Sequence, residues 1–296
     1  MNLNLIAVIV GIVEGLTEFL PVSSTGHMII VGHVLGFEGQ LADVFDVFVQ
    51  LGAILSVVFI YKERFARFFT KDGWDINKGF SVWHVAAGIV PVMLVAFFLY
   101  HYIKEYLFSP FTVAIGLFLG GLLLMFAEYR TKGREAELVD DVDKISIRQA
   151  VWVGIYQFLS LWPGFSRSGS TIAGGLLVGL TRSAAANYTF VIAVPLMFVA
   201  CIYDLLKNLQ YLSAGDLQVL VIGFVVSFIV AYISVLWFLK FLQNSKLVIL
   251  IILKQIKMHC SSFAFNTLCP YLAFMVFNDF LDNSKSYAAA ALLGVS

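Results

Sequence analysis

Two carboxylates, two serines, a threonine and a histidine lie within one short stretch near the N-terminus of a very apolar chain. Residues 14–27 read EGLTEFLPVSSTGH. Ionisable groups in a membrane segment are costly, so they usually face a water-filled cavity or one another and mark a functional site. A second stretch, residues 163–171, reads PGFSRSGST and supplies the missing positive charge. We expect the two stretches to meet and to form one site.

The carboxylates of the first stretch have the spacing of a cation site. Glu14 and Glu18 are four residues apart, so on a helix they share a face with about 5–6 Å between Cβ atoms. Two carboxylates this close repel each other, and in a low dielectric one would stay protonated unless a cation lay between them. We therefore predict Glu14 and Glu18 as ligands of a divalent cation, Mg²⁺ or Ca²⁺, shared with phosphate oxygens. A proton-sharing pair, or a glutamate that caps local backbone, is the alternative.

The small polar residues of both stretches are predicted to bind a diphosphate. Each group lies where a helix begins, and the amides and hydroxyls at a helix N-terminus form an anion site. Arg167 adds a planar fork of donors that suits phosphate better than a lysine would. Small hydroxyl residues also serve helix packing in membranes, which is the alternative for each turn taken alone. The predicted substrate-binding residues are Ser23, Thr25, Gly26, Ser166, Ser168, Gly169 and Thr171.

A histidine completes the first stretch. His27 lies one helical turn from Ser23 and Ser24, so it is a candidate general base for a serine nucleophile, or a residue that orients one. A histidine that simply bonds a backbone carbonyl is the alternative.

Composition indicates the class of protein that carries these stretches. The chain of 296 residues is 60% hydrophobic and only 13% charged, whereas soluble domains are about 45–50% apolar and about 25% charged. The sequence therefore predicts an integral membrane protein. Its formal net charge of zero gives no reason to expect nucleic acid as a partner.

The first stretch falls in a segment that is too short and too polar for ordinary spans. Pro21 should end one helix, and a serine or threonine after it can cap the next. We predict a re-entrant helical hairpin over 3–36, because irregular backbone at membrane depth is tolerated only where protein buries it or where it lines a cavity. Spans are expected near 43–61, 81–100 and 111–128. Basic residues cluster after the first and third of these spans, which predicts that both loops are cytoplasmic.

The chain then repeats itself at an offset of 143 residues without a gap. Gly11, Leu16, Ser23 and Gly26 correspond to identical residues in the second copy, and similar pairs lie between them. Three spans separate the copies, an odd number, so the second copy should enter the membrane from the opposite face. Such inverted-topology repeats place their site near the midplane, at the repeat interface.

The predicted fold class is thus an all-α polytopic membrane protein with an inverted-topology repeat, each half a re-entrant helical hairpin plus about three transmembrane helices. The first repeat is predicted over 1–143 and the second over 144–277. The second contains a hairpin at 149–180, spans near 184–203 and 217–242, and an uncertain last span. Residues 278–296 are expected to be a tail or a remnant of cloning.

The two stretches together resemble the undecaprenyl-diphosphate phosphatase family, bacterial membrane proteins associated with bacitracin resistance. The resemblance reaches from the N-terminus to about residue 244. It implies removal of the terminal phosphate of undecaprenyl diphosphate, which regenerates the carrier lipid for peptidoglycan synthesis, with a divalent cation as cofactor. It also implies that the acidic motif falls on Glu14 and Glu18, the candidate serine nucleophile on Ser24, the histidine on His27 and the essential arginine on Arg167.

The resulting prediction is a membrane phosphatase in which Ser24, His27, Glu18 and Arg167 are catalytic. Either Ser24 attacks the terminal phosphorus, or these residues position a water molecule for direct attack. The expected location is the bacterial plasma membrane with a site open to the outer face, and membrane lipids and a second copy of the chain are expected partners. The competing class is a lipid-phosphate flippase or an anion transporter, since many carriers are built from inverted repeats. A carrier, however, has no evident need for paired carboxylates beside an anion-binding turn.

Overall fold

A computed structural model describes residues 2–107, 110–208 and 215–244, and within these ranges the protein consists of helices and connecting turns. The α-helices are α1 (Leu3–Thr17), α2 (Ser24–Leu35), α3 (Gln40–Ile60), α4 (Lys62–Arg67), α5 (Val82–Tyr106), α6 (Pro110–Thr131), α7 (Ile147–Tyr156), α8 (Arg167–Leu177), α9 (Arg182–Asn208) and α10 (Leu217–Asn244). The all-helical prediction is therefore confirmed for these residues.

Four of the described helices are long and apolar enough to cross a membrane, namely α3, α5, α9 and α10. The third predicted span, near 111–128, falls on α6. The uncertain last span and the tail at 278–296 lie outside the described residues.

The first hairpin consists of α1 and α2. Asn2 caps α1 through a 2.9 Å bond from the backbone N–H of Asn4, and α1 ends at Thr17, four residues before the proline expected to stop it. Helix α2 follows an N-cap residue, Ser23, whose φ is +64° and whose side chain makes no capping bond. A positive φ is uncommon outside glycine, so this turn is locally strained.

The second hairpin is better capped. Ser146 and Gln149 form a capping box at the start of α7, which satisfies two helix-end donors reciprocally. A 3₁₀ turn over Gln157–Leu161 follows. Ser166, with a φ of −64°, caps α8 by accepting the Gly169 N–H at 3.2 Å.

Glycines allow helices that are distant in the sequence to pack closely. A Cβ on Gly15 of α1 would lie 2.8 Å from the Ser227 carbonyl oxygen of α10, and one on Gly52 of α3 would lie 2.4 Å from that of Phe224. In the other half, a Cβ on Gly154 of α7 would lie 2.7 Å from the Ala87 oxygen of α5. Close backbone approach of this kind is typical of helix contacts in membranes.

The basic loop predicted after α3 contains regular structure. It forms α4 and two 3₁₀ turns, Lys71–Gly73 and Ile76–Lys78. Asp143 ties it to the rest of the protein, accepting bonds from Arg64 and from the Phe80 N–H at 3.1 Å.

Candidate active site

Glu18 is the point at which the two sequence stretches meet. It follows the last turn of α1 and is only 8% exposed. Its Oε2 accepts a hydrogen bond from the Ser24 hydroxyl at the start of α2. Its Oε1 accepts one from Arg167 Nη2 at 2.9 Å, which also makes the pair an ion pair. One carboxylate thus joins the first hairpin to the first residue of α8.

Glu14 lies one helical turn before Glu18 and is fully buried. Neither of its carboxylate oxygens has a hydrogen-bond partner among the described residues. Glu18, Asp46 and Arg167 are the charged groups close enough to act on it electrostatically. A buried carboxylate without partners is costly unless it is protonated or balanced by a cation. Glu14 is therefore a candidate to bind either a proton or a cation.

Arg167 has bonding capacity left over after it binds Glu18. Its side chain is 15% exposed, and its guanidinium carbon lies 5.9 Å from the centroid of the Phe19 ring. Its Nη1 is buried and has no hydrogen-bond partner among the described residues. Since a guanidinium carries five donors in one plane, this side chain can hold Glu18 and an incoming phosphate oxygen together.

The described hydrogen bond of the His27 ring is to the backbone of Ser23 and not to the Ser24 side chain. His27 Nδ1 lies 2.9 Å from the backbone oxygen of Ser23, which is the backbone alternative that the sequence left open. The Ser24 hydroxyl donates to Glu18. Thr25 is exposed, and a Cβ on Gly26 would meet nothing nearer than the Ser23 hydroxyl at 3.7 Å.

The hydroxyls of the second stretch bond to protein groups. Ser166 Oγ lies 3.1 Å from Ser168 Oγ, and the Ser168 hydroxyl donates to the Leu20 carbonyl at 2.8 Å, which links the two hairpins. The Thr171 hydroxyl donates to the Arg167 carbonyl at 3.0 Å. Their arrangement explains how α8 is anchored, while the predicted contact of Ser166, Ser168, Gly169 and Thr171 with substrate stays a prediction.

Further polar residues surround the site. Asp46 lies close to Glu14, and Cys201 is near both glutamates and donates to Gln50 Oε1 at 3.5 Å. Gln157 is fully buried, and its Oε1 has no partner among the described residues. The sequence repeat could have pointed to Gln157, because this residue occupies the position that corresponds to Glu14.

The residues present fit a hard divalent cation in part. Glu14 offers two oxygens without partners, and Glu18 is one turn away. Within the described part of the chain, no cluster of three histidine, cysteine, aspartate or glutamate side chains could hold a metal ion. A cation at this pair would therefore take its remaining ligands from phosphate oxygens and water, as Mg²⁺ commonly does.

Comparison with known proteins identifies the family. Residues 7–256 match the family model described as Bacitracin resistance protein BacA. Undecaprenyl-diphosphatase 1 of Bacillus thuringiensis strain Al Hakam is 45% identical over 241 residues, which cover 81% of this chain and 90% of that protein. Undecaprenyl-diphosphatase 1 of Bacillus anthracis is 45% identical over 239 residues, covering 80% and 89%.

The match extends over both hairpins and over all four long apolar helices of the described structure. The helices make the chain a multi-pass membrane protein, and the match agrees with the resemblance read from the two sequence stretches. The chain belongs to the BacA bacitracin-resistance family.

Proposed function

We propose that this protein hydrolyses undecaprenyl diphosphate to undecaprenyl phosphate and inorganic phosphate, and thereby recycles the carrier lipid of cell-wall synthesis. The relatives are named undecaprenyl-diphosphatase. The single observation that carries the proposal for this chain is Glu18, which binds Ser24 and Arg167 at once. Glu18 thus holds together a candidate nucleophile, Ser24, and a phosphate-binding guanidinium, that of Arg167, and can itself accept the proton of Ser24. Transport finds no support among the relatives.

In the proposed reaction, Arg167 binds the terminal phosphate through the donors that Glu18 leaves unused. The Ser24 hydroxyl points at Glu18, so that carboxylate can orient the hydroxyl and accept its proton. The contact with Arg167 keeps Glu18 in place. Positioning and stabilisation of the developing charge supply most of the catalysis of phosphoryl transfer, and these side chains provide both.

We infer that Glu14 and Glu18 also hold a divalent cation when substrate is bound. Such an ion would neutralise charge on the phosphate oxygens. Its binding would also satisfy the Glu14 oxygens, which have no other partner among the described residues.

The route of attack has two versions. In the first, Ser24 displaces the prenyl phosphate from the terminal phosphorus, its proton passes to Glu18, and water then hydrolyses the phosphoserine. In the second, the same residues orient a water molecule that attacks directly. His27 would assist in either version, because it lies one turn from Ser24 on α2. A phosphoserine trapped at Ser24 in quenched reactions would decide for the first version.

The inverted repeat and the re-entrant hairpins belong to the same proposal. Helix packing supports them: α1 contacts α10 in the way that α7 contacts α5, and α1 contacts α2 as α7 contacts α8. Each pairing in one half of the chain therefore has a counterpart in the other half, with α7 in the place of α1, α8 in the place of α2 and α5 in the place of α10. A site between such hairpins would lie near the membrane midplane, and we propose that it opens to the outer face.

The proposed function is tested by phosphate release from a prenyl diphosphate in detergent, with and without EDTA. The wild type should release phosphate in a cation-dependent manner, and Glu18→Gln should lose most of the activity. Glu38→Gln is the matched control, because Glu38 is an exposed carboxylate beyond the end of α2 that pairs with His33. Equal activity in all three proteins would contradict the role of Glu18, and no release by folded wild type would contradict the phosphatase assignment.

A further inference from the structure

A pocket of about 410 Å³ lies far from the glutamate pair, at the end of α3 where the chain turns into α4. Its lining is Ile60, Tyr61, Lys62, Glu63, Arg64, Arg67 and Asp143. Three of these residues are cationic and two are acidic, so the lining carries a net charge of +1. No part of the proposed phosphatase mechanism uses them.

The positive charge in this pocket is only partly compensated. Arg64 donates two hydrogen bonds to Asp143, at 2.9 and 3.3 Å, so these two charges balance each other. Arg67 Nη1 lies 3.8 Å from the same carboxylate, and its Nη2 donates to the Lys78 carbonyl. The Lys62 ammonium lies 5.9 Å from the Phe59 ring centroid, and no carboxylate pairs with it among the described residues. Lys62 and Arg67 can therefore bind an external anion.

Exposed aromatic residues lie near the pocket-lining residues in the sequence. Phe59 is 57% exposed and Phe69 is 92% exposed. Trp74 and Trp83 are half exposed, and each indole N–H donates to a backbone oxygen within this segment. Aromatic side chains of this kind concentrate at the level of lipid headgroups, where they have one apolar and one polar side.

The pocket also follows directly on an apolar helix. α3 is long and apolar enough to cross a membrane and ends at Ile60. In a bilayer that α3 spans, the pocket would lie at the level at which acyl chains give way to headgroups. A soluble anion would need the cations alone, whereas a phospholipid would contact the cations with its phosphate and the exposed rings with its glycerol and acyl region.

We propose that this α4 pocket binds the headgroup of an anionic phospholipid, with Lys62 and Arg67 on the phosphate. Asp143 holds Arg64 away from the ligand and keeps α4 against Phe80. The exposed aromatic residues anchor the surrounding segment in the headgroup layer.

The proposal is tested on the full-length protein by native mass spectrometry, with titration of phosphatidylglycerol or phosphatidylcholine into the detergent-solubilised sample. The wild type should retain phosphatidylglycerol at several-fold lower lipid concentration than phosphatidylcholine. Lys62→Gln should weaken phosphatidylglycerol binding by about fivefold, the effect of one cation near an anionic headgroup. Lys62→Gln combined with Arg67→Gln should abolish the preference.

Lys132→Gln is the matched control, since Lys132 is an exposed lysine in the other basic loop and the charge change is the same. It should bind phosphatidylglycerol like the wild type. The single Lys62 variant keeps the test valid if loss of Arg67 disturbs the loop, because the described contact of the Lys62 ammonium is with one ring. Equal retention of both lipids, an equal loss in the Lys132 variant, or displacement of phosphatidylglycerol by an equal concentration of glycerol phosphate would overturn the proposal.

Discussion

The two hairpins have corresponding sequences but opposite character. In α8 the buried residues run without a break from Ser168 to Leu176, whereas α2 buries only Ser24, Met28 and Gly32. The N-cap of α8 bonds its helix, and the N-cap of α2 has a positive φ and no capping bond. The first hairpin contributes Glu14, Glu18 and Ser24 to the candidate site, and the second contributes Arg167.

This difference indicates that the two hairpins have different roles. The second hairpin positions the Arg167 guanidinium, because buried residues and hydroxyl bonds hold α8 on several sides. The first hairpin carries the acidic and nucleophilic candidates and keeps a less stabilised turn beside them. Strain and low packing are commonly concentrated at functional sites.

The largest expected effect is on activity and comes from the second hairpin. Arg167→Lys should lower phosphate release about 100-fold or more, comparable to the loss of one donor that stabilises a transition state, because lysine cannot hold Glu18 and phosphate in one plane. Thermal stability should change little. Near-normal turnover in steady-state kinetics would contradict the role given to Arg167.

Glu14→Gln should separate activity from stability. Loss of the carboxylate should lower activity roughly 10-fold or more and remove the response to added Mg²⁺. The free energy of unfolding should stay equal or rise by about 1 kcal/mol, because an unpartnered carboxylate no longer has to be buried. Metal titrations of activity and thermal melting in detergent measure the two effects. A destabilised variant with normal cation dependence would show that Glu14 is structural.

Two glycines, one in each hairpin, test the packing difference. Gly175→Ala in α8 should destabilise the protein by about 1–3 kcal/mol, because its Cβ would lie 2.6 Å from the Ala185 Cβ. Gly26→Ala in α2 should be neutral or stabilising by up to about 1 kcal/mol, since the nearest atom is 3.7 Å away and alanine favours a helix. Equal melting temperatures of the two variants would contradict the comparison.

The smallest expected effect concerns the caps. Ser166→Ala should cost about 1 kcal/mol of folding free energy, because it removes the acceptor of the Gly169 N–H. Ser23→Ala should cost only about 0.3 kcal/mol, well below the usual value of a lost cap, because its side chain makes no capping bond. Denaturation monitored by circular dichroism would distinguish these values. A larger loss of folding free energy in Ser23→Ala than in Ser166→Ala would contradict the finding that the Ser23 side chain does not cap α2.

Much of this architecture follows from local rules that can be applied to the sequence. Proline and hydroxyl residues marked the break between α1 and α2, and apolar length marked the four spans. The 143-residue offset identified Ser166 and Arg167 as counterparts of Ser23 and Ser24. These features depend on neighbours in the chain or on self-similarity, and both are visible in one sequence.

Other features depend on contacts between distant residues and could not be predicted. Glu18 and Arg167 are 149 residues apart, and their direct bond depends on how the hairpins dock. The sequence did not reveal that Ser24 would donate to Glu18 or that the turn at Ser23 would have a positive φ, because a glycine, the usual signal for that conformation, is missing there. The position of Asp46 near Glu14 also depends on tertiary packing, because α3 contacts both α1 and α9.

The close contact of α1 with α10 has a consequence for biosynthesis. Gly15 rests on the Ser227 carbonyl and the Ala231 backbone nitrogen, and these residues are synthesised roughly 200 positions later. At about 5–20 residues per second, α1 must wait roughly 10–40 s at the ribosome-bound stage before its final neighbour exists. During this interval Glu14 lacks its final surroundings, so α1 needs either a temporary protein partner in the insertion machinery or a protonated Glu14.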